Sequence, residues 1–99
     1  MIMAYAVAAT WLAKPGQEAV VESALQSLAP LSRQEPGCRA YIVCRSQEEP
    51  RQFELFEVYD DEDAYLAHGA SAHFQEFALG QGIPALEDRH RKFFDVLDV

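Results

Sequence analysis

Glu57 is the most informative side chain in the sequence, because it interrupts an apolar row. Between Arg51 and Tyr59, the residues Phe53, Leu55, Glu57 and Tyr59 share one parity and Glu54, Phe56 and Val58 the other, and along a strand each parity is one face. A carboxylate between Leu55 and Tyr59 therefore points inward. Burial disfavours the ionised form and raises the pKa, which would make Glu57 a proton acceptor. The other reading is a structural carboxylate, paired with Arg45 on the neighbouring strand or bonded to helix amides, since buried charges persist when they are paired.

Two histidines can join that chemistry. His68 lies near the end of a short helical segment, three residues after Tyr65, and reads as a proton-handling group, a satisfied core histidine or a C-terminal cap. His73 falls in the first turn of the next segment. There the helix dipole disfavours the imidazolium and leaves a neutral ring able to accept a proton, or else the residue is simply half-exposed. The two histidines are five residues apart with Gly69 between them, unlike the four-residue spacing that puts two ligands on one helical face, so no metal site is expected. His90 reads as a surface residue.

Other chemistries find less support. Cys38 and Cys44 on one strand are separated by roughly 20 Å at about 3.3 Å per residue, beyond disulfide reach. They are expected as reduced thiols, and neither has a helix N-terminus or a histidine beside it to activate a nucleophile. No glycine-rich phosphate loop is present, which leaves nicotinamide, FAD or ATP use by those motifs unsupported.

The elements that must position these residues follow from periodicity and punctuation. From Met3 to Ala13, Tyr5, Val7 and Trp11 share one parity and Ala4, Ala6, Ala8 and Leu12 the other, which predicts a central strand covered on both faces. After the Lys14-Pro15-Gly16 turn, Val21, Leu25 and Leu28 recur at helical spacing between Gln17 and about Arg33, with Pro30 expected to end or kink the last turn. Glu35-Pro36-Gly37 punctuates the chain before a strand from Cys38 to Ser46, and Gln47-Glu48-Glu49-Pro50 connects it to its antiparallel partner, Arg51 to Tyr59. Asp60 is the expected cap of a short helix ending at Gly69. Ser71 caps another, with a Phe74, Phe77 and Ala78 stripe, before Gly80, Gly82 and Pro84 break it, and Glu87 to Leu97 supplies the last strand.

That order is the split βαβ, ferredoxin-like α+β arrangement: a four-stranded antiparallel sheet with helices on one face. The other face would carry Ile42, Cys44, Phe56, Val58 and the alanine row of the first strand. Such a surface favours a sheet-to-sheet homodimer. Ninety-nine residues, 49% of them hydrophobic, fit one domain spanning 1–99 with a modest core that self-association would reinforce. A formal charge of −8, from 16 acidic and 8 basic residues, opposes binding to nucleic acid or an anionic membrane. The basic run Arg89, His90, Arg91 and Lys92 alternates along the last strand and reads as a solvated edge. No signal-like start or membrane-spanning window is seen, and a cytoplasmic location is expected.

The series Glu35-Pro36-Gly37-Cys38-Arg39-Ala40-Tyr41, Phe53-Glu54-Leu55-Phe56-Glu57-Val58-Tyr59, Ala67-His68 and Ser71-Ala72-His73-Phe74 resembles the antibiotic biosynthesis monooxygenase (ABM) domain family. The resemblance covers nearly the whole chain and is most specific from Glu35 to Phe77. It implies a dimeric ferredoxin-like fold with a small pocket in each subunit between sheet and helices, and a pocket-facing position for His68. Activities in that family include oxidation of phenolic polycycles or quinols without flavin or metal, haem degradation, and isomerisation of small carbonyl compounds. The haem degraders carry an asparagine on the first strand and a tryptophan and histidine in the helical region, whereas this chain has no asparagine and only Trp11.

The resemblance thus implies a cofactor-independent monooxygenase acting with dioxygen on a small phenolic, quinol or polyketide-like substrate. His68, His73 and Glu57 would handle protons, and Tyr5, Trp11, Tyr41, Phe53, Phe74 and Phe77 would line the cavity. The same aromatics also serve as ordinary core. The rival readings are an isomerase of a small carbonyl compound, using the same acid and base groups without oxygen, and a non-catalytic ligand-binding or stress-associated dimer.

Overall fold

The computed structural model describes residues 3–99. Four strands, β1 (Tyr5–Ala13), β2 (Cys38–Arg45), β3 (Gln52–Tyr59) and β4 (Leu86–Asp95), form one antiparallel sheet in the order β2-β3-β1-β4. The two-sided apolar strand β1 lies inside the sheet, flanked by β3 and β4, as its composition requires. The fold is the ferredoxin-like α+β arrangement that the element order predicts.

Helix α1 (Glu18–Arg33) buries Val21, Ala24, Leu25 and Leu28 against the sheet. There they join Trp11, Tyr41, Phe53 and Leu55 in the core. The helix ends at Arg33, the boundary expected from its spacing, and Pro30 stands exposed within its last turns without terminating it. Helix α2 (Glu62–Gly69) starts one residue later than predicted. Its N-cap is Asp61, whose carboxylate accepts from the Ala64 N–H at 2.8 Å, while Asp60 instead pairs with Arg39.

The third helical segment, α3 (Phe74–Gly82), is wound as a π-helix and leads through a 3₁₀ turn, Ile83–Ala85, into β4. Gly80 therefore does not break it. Gly82 is a packing residue: an added Cβ would stand 2.9 Å from the Trp11 ring and 3.3 Å from the Ala24 Cβ, so the absence of a side chain lets α3 approach both. Gly37 acts similarly where β2 begins, because a Cβ there would collide with the Ala64 side chain. That contact sets α2 close to the Glu35-Pro36-Gly37 turn, and so brings a helix end toward Glu35.

All three helical segments lie over one side of the sheet. The opposite side exposes Ile42 (53%), Phe56 (47%) and Phe94 (52%), close neighbours through the Ile42–Phe56, Ala8–Phe56 and Ala6–Phe94 registers. Among the described residues, no helix is long and apolar enough to cross a membrane.

Candidate active site

Three chain segments meet beneath α2. Glu35 lies in the turn after α1, His68 in the last turn of α2 and His73 at the start of α3. Ser71 fastens the last two together: its Oγ donates to the His68 carbonyl at 2.7 Å and accepts from the Phe74 N–H at 3.2 Å. One oxygen of Glu35, Oε2, is 2.7 Å from His68 Nδ1 and 2.6 Å from His73 Nε2. A carboxylate can only accept, so each of those ring nitrogens carries its proton. Burial holds the His68 pKa below its usual value, against the opposing pull of Glu35. The neutral His68 ring is then protonated at Nδ1, and Nε2 holds a free lone pair.

That nitrogen faces Glu57, with His68 Nε2 at 4.0 Å from Glu57 Oε1. Both side chains are buried, His68 at 3% and Glu57 at 5% exposure. Burial pushes the Glu57 pKa up to about 7, the charge of Glu35 adding to the rise and the Tyr59 hydroxyl and Arg91 opposing it. The Tyr59 hydroxyl donates to Glu57 Oε1 at 2.6 Å and is itself held far above the ordinary tyrosine range by burial. The result is a hydrogen-bonded acid–base group, Glu35–His68 facing Glu57–Tyr59, whose central carboxyl exchanges its proton near neutrality.

Glu57 and His68 border a cavity of about 390 Å³. Ala9, Trp11, Leu55 and Tyr41 form its sheet side, Tyr65, Leu66 and Phe74 its helical side, and Arg89 and Arg91 of β4 its edge. This is the size and mixed character of a small-molecule site. A second hollow of about 420 Å³ lies between α1 and β2. Its charged groups are already engaged, Arg45 pairing with Glu22 and stacking over Phe53 and Arg33 donating to the Tyr41 carbonyl. The first cavity carries the buried Glu57 and His68, which makes it the candidate site despite its slightly smaller volume.

Comparison with protein families matches residues 3–79 to the antibiotic biosynthesis monooxygenase model. The chain belongs to the antibiotic biosynthesis monooxygenase family. Among solved structures, protein PA3566 from Pseudomonas aeruginosa is 26% identical with a TM-score of 0.89, over 96% of this chain and 95% of that one. Protein SO0527 from Shewanella oneidensis is 29% identical with a TM-score of 0.88, over 97% and 93%. A protein solved under the name antibiotic biosynthesis monooxygenase is 26% identical with a TM-score of 0.88, over 94% and 98%. No curated protein matches the chain.

The ABM-family fold gathers His68, His73 and Glu57 into one cluster, and of the six aromatics proposed as cavity lining it places Trp11, Tyr41 and Phe74 there. The other three lie elsewhere. Tyr5 packs its ring on Tyr65 and Phe93, four residues along β1 from Ala9, the nearest lining residue of that strand, with Val7 between them on the same face. Phe53 faces the hollow beside α1, because β3 carries it toward the opposite end of the sheet from Glu57. Phe77 packs against the core beneath α3. The Glu57–Arg45 pair is not formed: the register sets Arg45 opposite Phe53, four residues along β3 from Glu57, and Arg45 pairs with Glu22.

In this ABM-family chain the five-residue spacing of His68 and His73 does not exclude a shared ligand set. His68 and His73 belong to separate helical segments, so their five-residue spacing does not keep them apart, and with Glu35 they offer three donor atoms within 4.8 Å of one another. Two imidazoles and a carboxylate are a donor set suited to a d-block ion. Their N···O separations of 2.6 and 2.7 Å are hydrogen-bond lengths, shorter than the roughly 3.3 Å between two ligands on a tetrahedral ion. The three groups as arranged satisfy one another.

Sequence reasoning missed Glu35, Tyr59, Tyr65, Arg89 and Arg91 as members of the site. Glu35 stood in a turn valued only as punctuation. Arg89 and Arg91 share the parity of Phe93, and that parity, followed through the pairing with Trp11 and Ala9, was the signal that placed them on the cavity side.

Proposed function

We propose that this chain is a cofactor-independent monooxygenase for a small electron-rich aromatic, a phenol, quinol or polyketide-like compound. The observation that carries the reading is the buried Glu57–His68 pair at the wall of an aromatic-lined cavity. Glu57 accepts the substrate proton, and His68, held by Glu35, accepts or returns it through Nε2. The resulting carbanion or phenolate transfers an electron to dioxygen. Recombination forms a carbon–oxygen bond, and loss of water from the hydroperoxide leaves a carbonyl, so that a CH₂ group and O₂ become C=O and H₂O. Trp11, Leu55 and Phe74 supply apolar walls that keep bulk water from protonating the anion.

The test is oxygen uptake by the purified protein on a panel of quinols and anthrones, repeated after exhaustive dialysis against chelator. Uptake that persists after dialysis and falls in His68→Gln supports the proposal. Turnover of a carbonyl substrate under anaerobic conditions would replace it with the isomerase reading, and binding without turnover with a ligand-binding role.

The exposed sheet face supports a companion proposal. Ile42, Phe56 and Phe94 meet the same face of a second copy, giving an isologous sheet-to-sheet dimer. Sedimentation at micromolar concentration is expected to give the dimer mass, and a monodisperse monomer would refute it.

A further inference from the structure

Carboxylates outnumber cationic side chains 16 to 8 in this chain, yet two arginines at the cavity edge have no ion-pair partner among the described residues. Arg39 pairs with Asp60, Arg45 with Glu22, and Arg51 with Glu49 and Glu87. Arg33 donates to the Tyr41 carbonyl. Among the described residues, only Arg89 and Arg91 of the six arginines contact neither a carboxylate nor a backbone carbonyl. Both line the cavity.

The strand register explains their placement. Arg89 stands opposite Trp11 and Arg91 opposite Ala9, both on the cavity wall, whereas His90 and Lys92 stand opposite Thr10 and Ala8 on the other face. The basic run is thereby divided between two sides of the sheet, which suits a small anion in the cavity and not a continuous polyanion track. Arg91 is also held in place: its Nη1 donates to the Tyr65 hydroxyl, leaving the rest of the guanidinium fork available. Among the described residues, Glu57, Glu62, Glu87 and Asp95 form no ion pair with either arginine.

We infer that Arg89 and Arg91 bind an anionic substituent, a carboxylate or a phosphate, on the small molecule that fills the cavity. Its apolar body lies against Trp11, Leu55 and Phe74, and its reacting end meets Glu57 and His68. The fork geometry of two permanently charged guanidinium groups suits such an oxyanion. This narrows the substrate class of the site proposed above and rests on that cavity being the substrate site.

Calorimetric titration with 2-naphthoate and with its uncharged amide tests the inference without requiring turnover. The carboxylate is expected to bind the wild-type protein about tenfold or more tightly than the amide, as hydrogen bonds to charged groups allow. That preference should vanish in the Arg89→Gln, Arg91→Gln double variant and persist in Arg39→Gln. The Arg39 variant loses one charge from a solvent-exposed pair, and circular dichroism verifies that the double variant is folded. Equal affinity for acid and amide in the wild type, or a preference unchanged in the double variant, overturns the inference. Competition by inorganic phosphate distinguishes the two sources: displacement of naphthoate at similar concentration favours a phosphorylated substrate, and failure to displace favours a carboxylate. A charge preference found without any oxygen uptake would sink the monooxygenase proposal and leave this one standing.

Discussion

Replacing Glu57 by glutamine should change how stability responds to pH, and the size of the change follows from the environment of the carboxyl. Burial carries the Glu57 pKa from 4.5 to about 7 in the folded chain. The sign is that of a raised carboxyl: below the unfolded value both states hold the proton and the folded state pays nothing for it. As pH rises, the unfolded chain releases the proton first, and stability falls until the folded carboxyl also ionises near pH 7. At about 1.36 kcal/mol per pKa unit, the loss is ~3 kcal/mol across that window. Glutamine keeps an acceptor for the Tyr59 hydroxyl and has no proton to lose. Urea denaturation of both proteins at fixed chain concentration, in steps between pH 4.5 and about 8, should show the wild type losing ~3 kcal/mol relative to Glu57→Gln. Other titrating groups, His68 included, largely cancel in the difference. Parallel stability curves for the two proteins would mean that Glu57 ionises as an ordinary carboxylate, and the acid–base reading of the site would fail with it.

Three further perturbations test separate links. Gly82→Ala forces a methyl group against the Trp11 ring and the Ala24 Cβ and should destabilise the fold by about 1–3 kcal/mol in urea; unchanged stability would show that α3 does not need that close approach. Glu35→Gln removes the carboxylate that favours protonation of His68, so the His68 pKa followed by NMR should fall further below its usual value, and a rise would contradict the hydrogen-bond assignment. Asp61→Ala deletes the N-cap of α2 and should cost about 1 kcal/mol in thermal or chemical denaturation, whereas Asp60→Ala, which breaks only an exposed pair with Arg39, should cost far less.

Much of this architecture was legible because strand parity and helix spacing are local signals. The row Phe53, Leu55, Glu57 and Tyr59 announced an inward carboxylate, and the two-sided apolar character of β1 announced an inner strand of the sheet. The end of α1 at Arg33 was legible, but that of α3 was not: the segment runs through Gly80, where packing on Trp11 outweighs glycine's intrinsic tendency to interrupt a helix. The site was half legible for a physical reason. His68 and Glu57 project from regular elements whose faces can be counted, while Glu35 projects from a turn, where no periodicity tells which way the side chain points. Nor does helical counting relate His68 to His73, since the chain turns at Ser71 between them.

The pH dependence of oxygen uptake tests the central claim most directly. With a quinol substrate found by the panel, kcat/KM should rise as pH climbs through about 7, following ionisation of Glu57. In Glu57→Gln that limb should disappear along with most of the rate. A wild-type profile flat through this range, or a variant that keeps both the rate and the rising limb, would contradict the assignment of Glu57 as the proton acceptor.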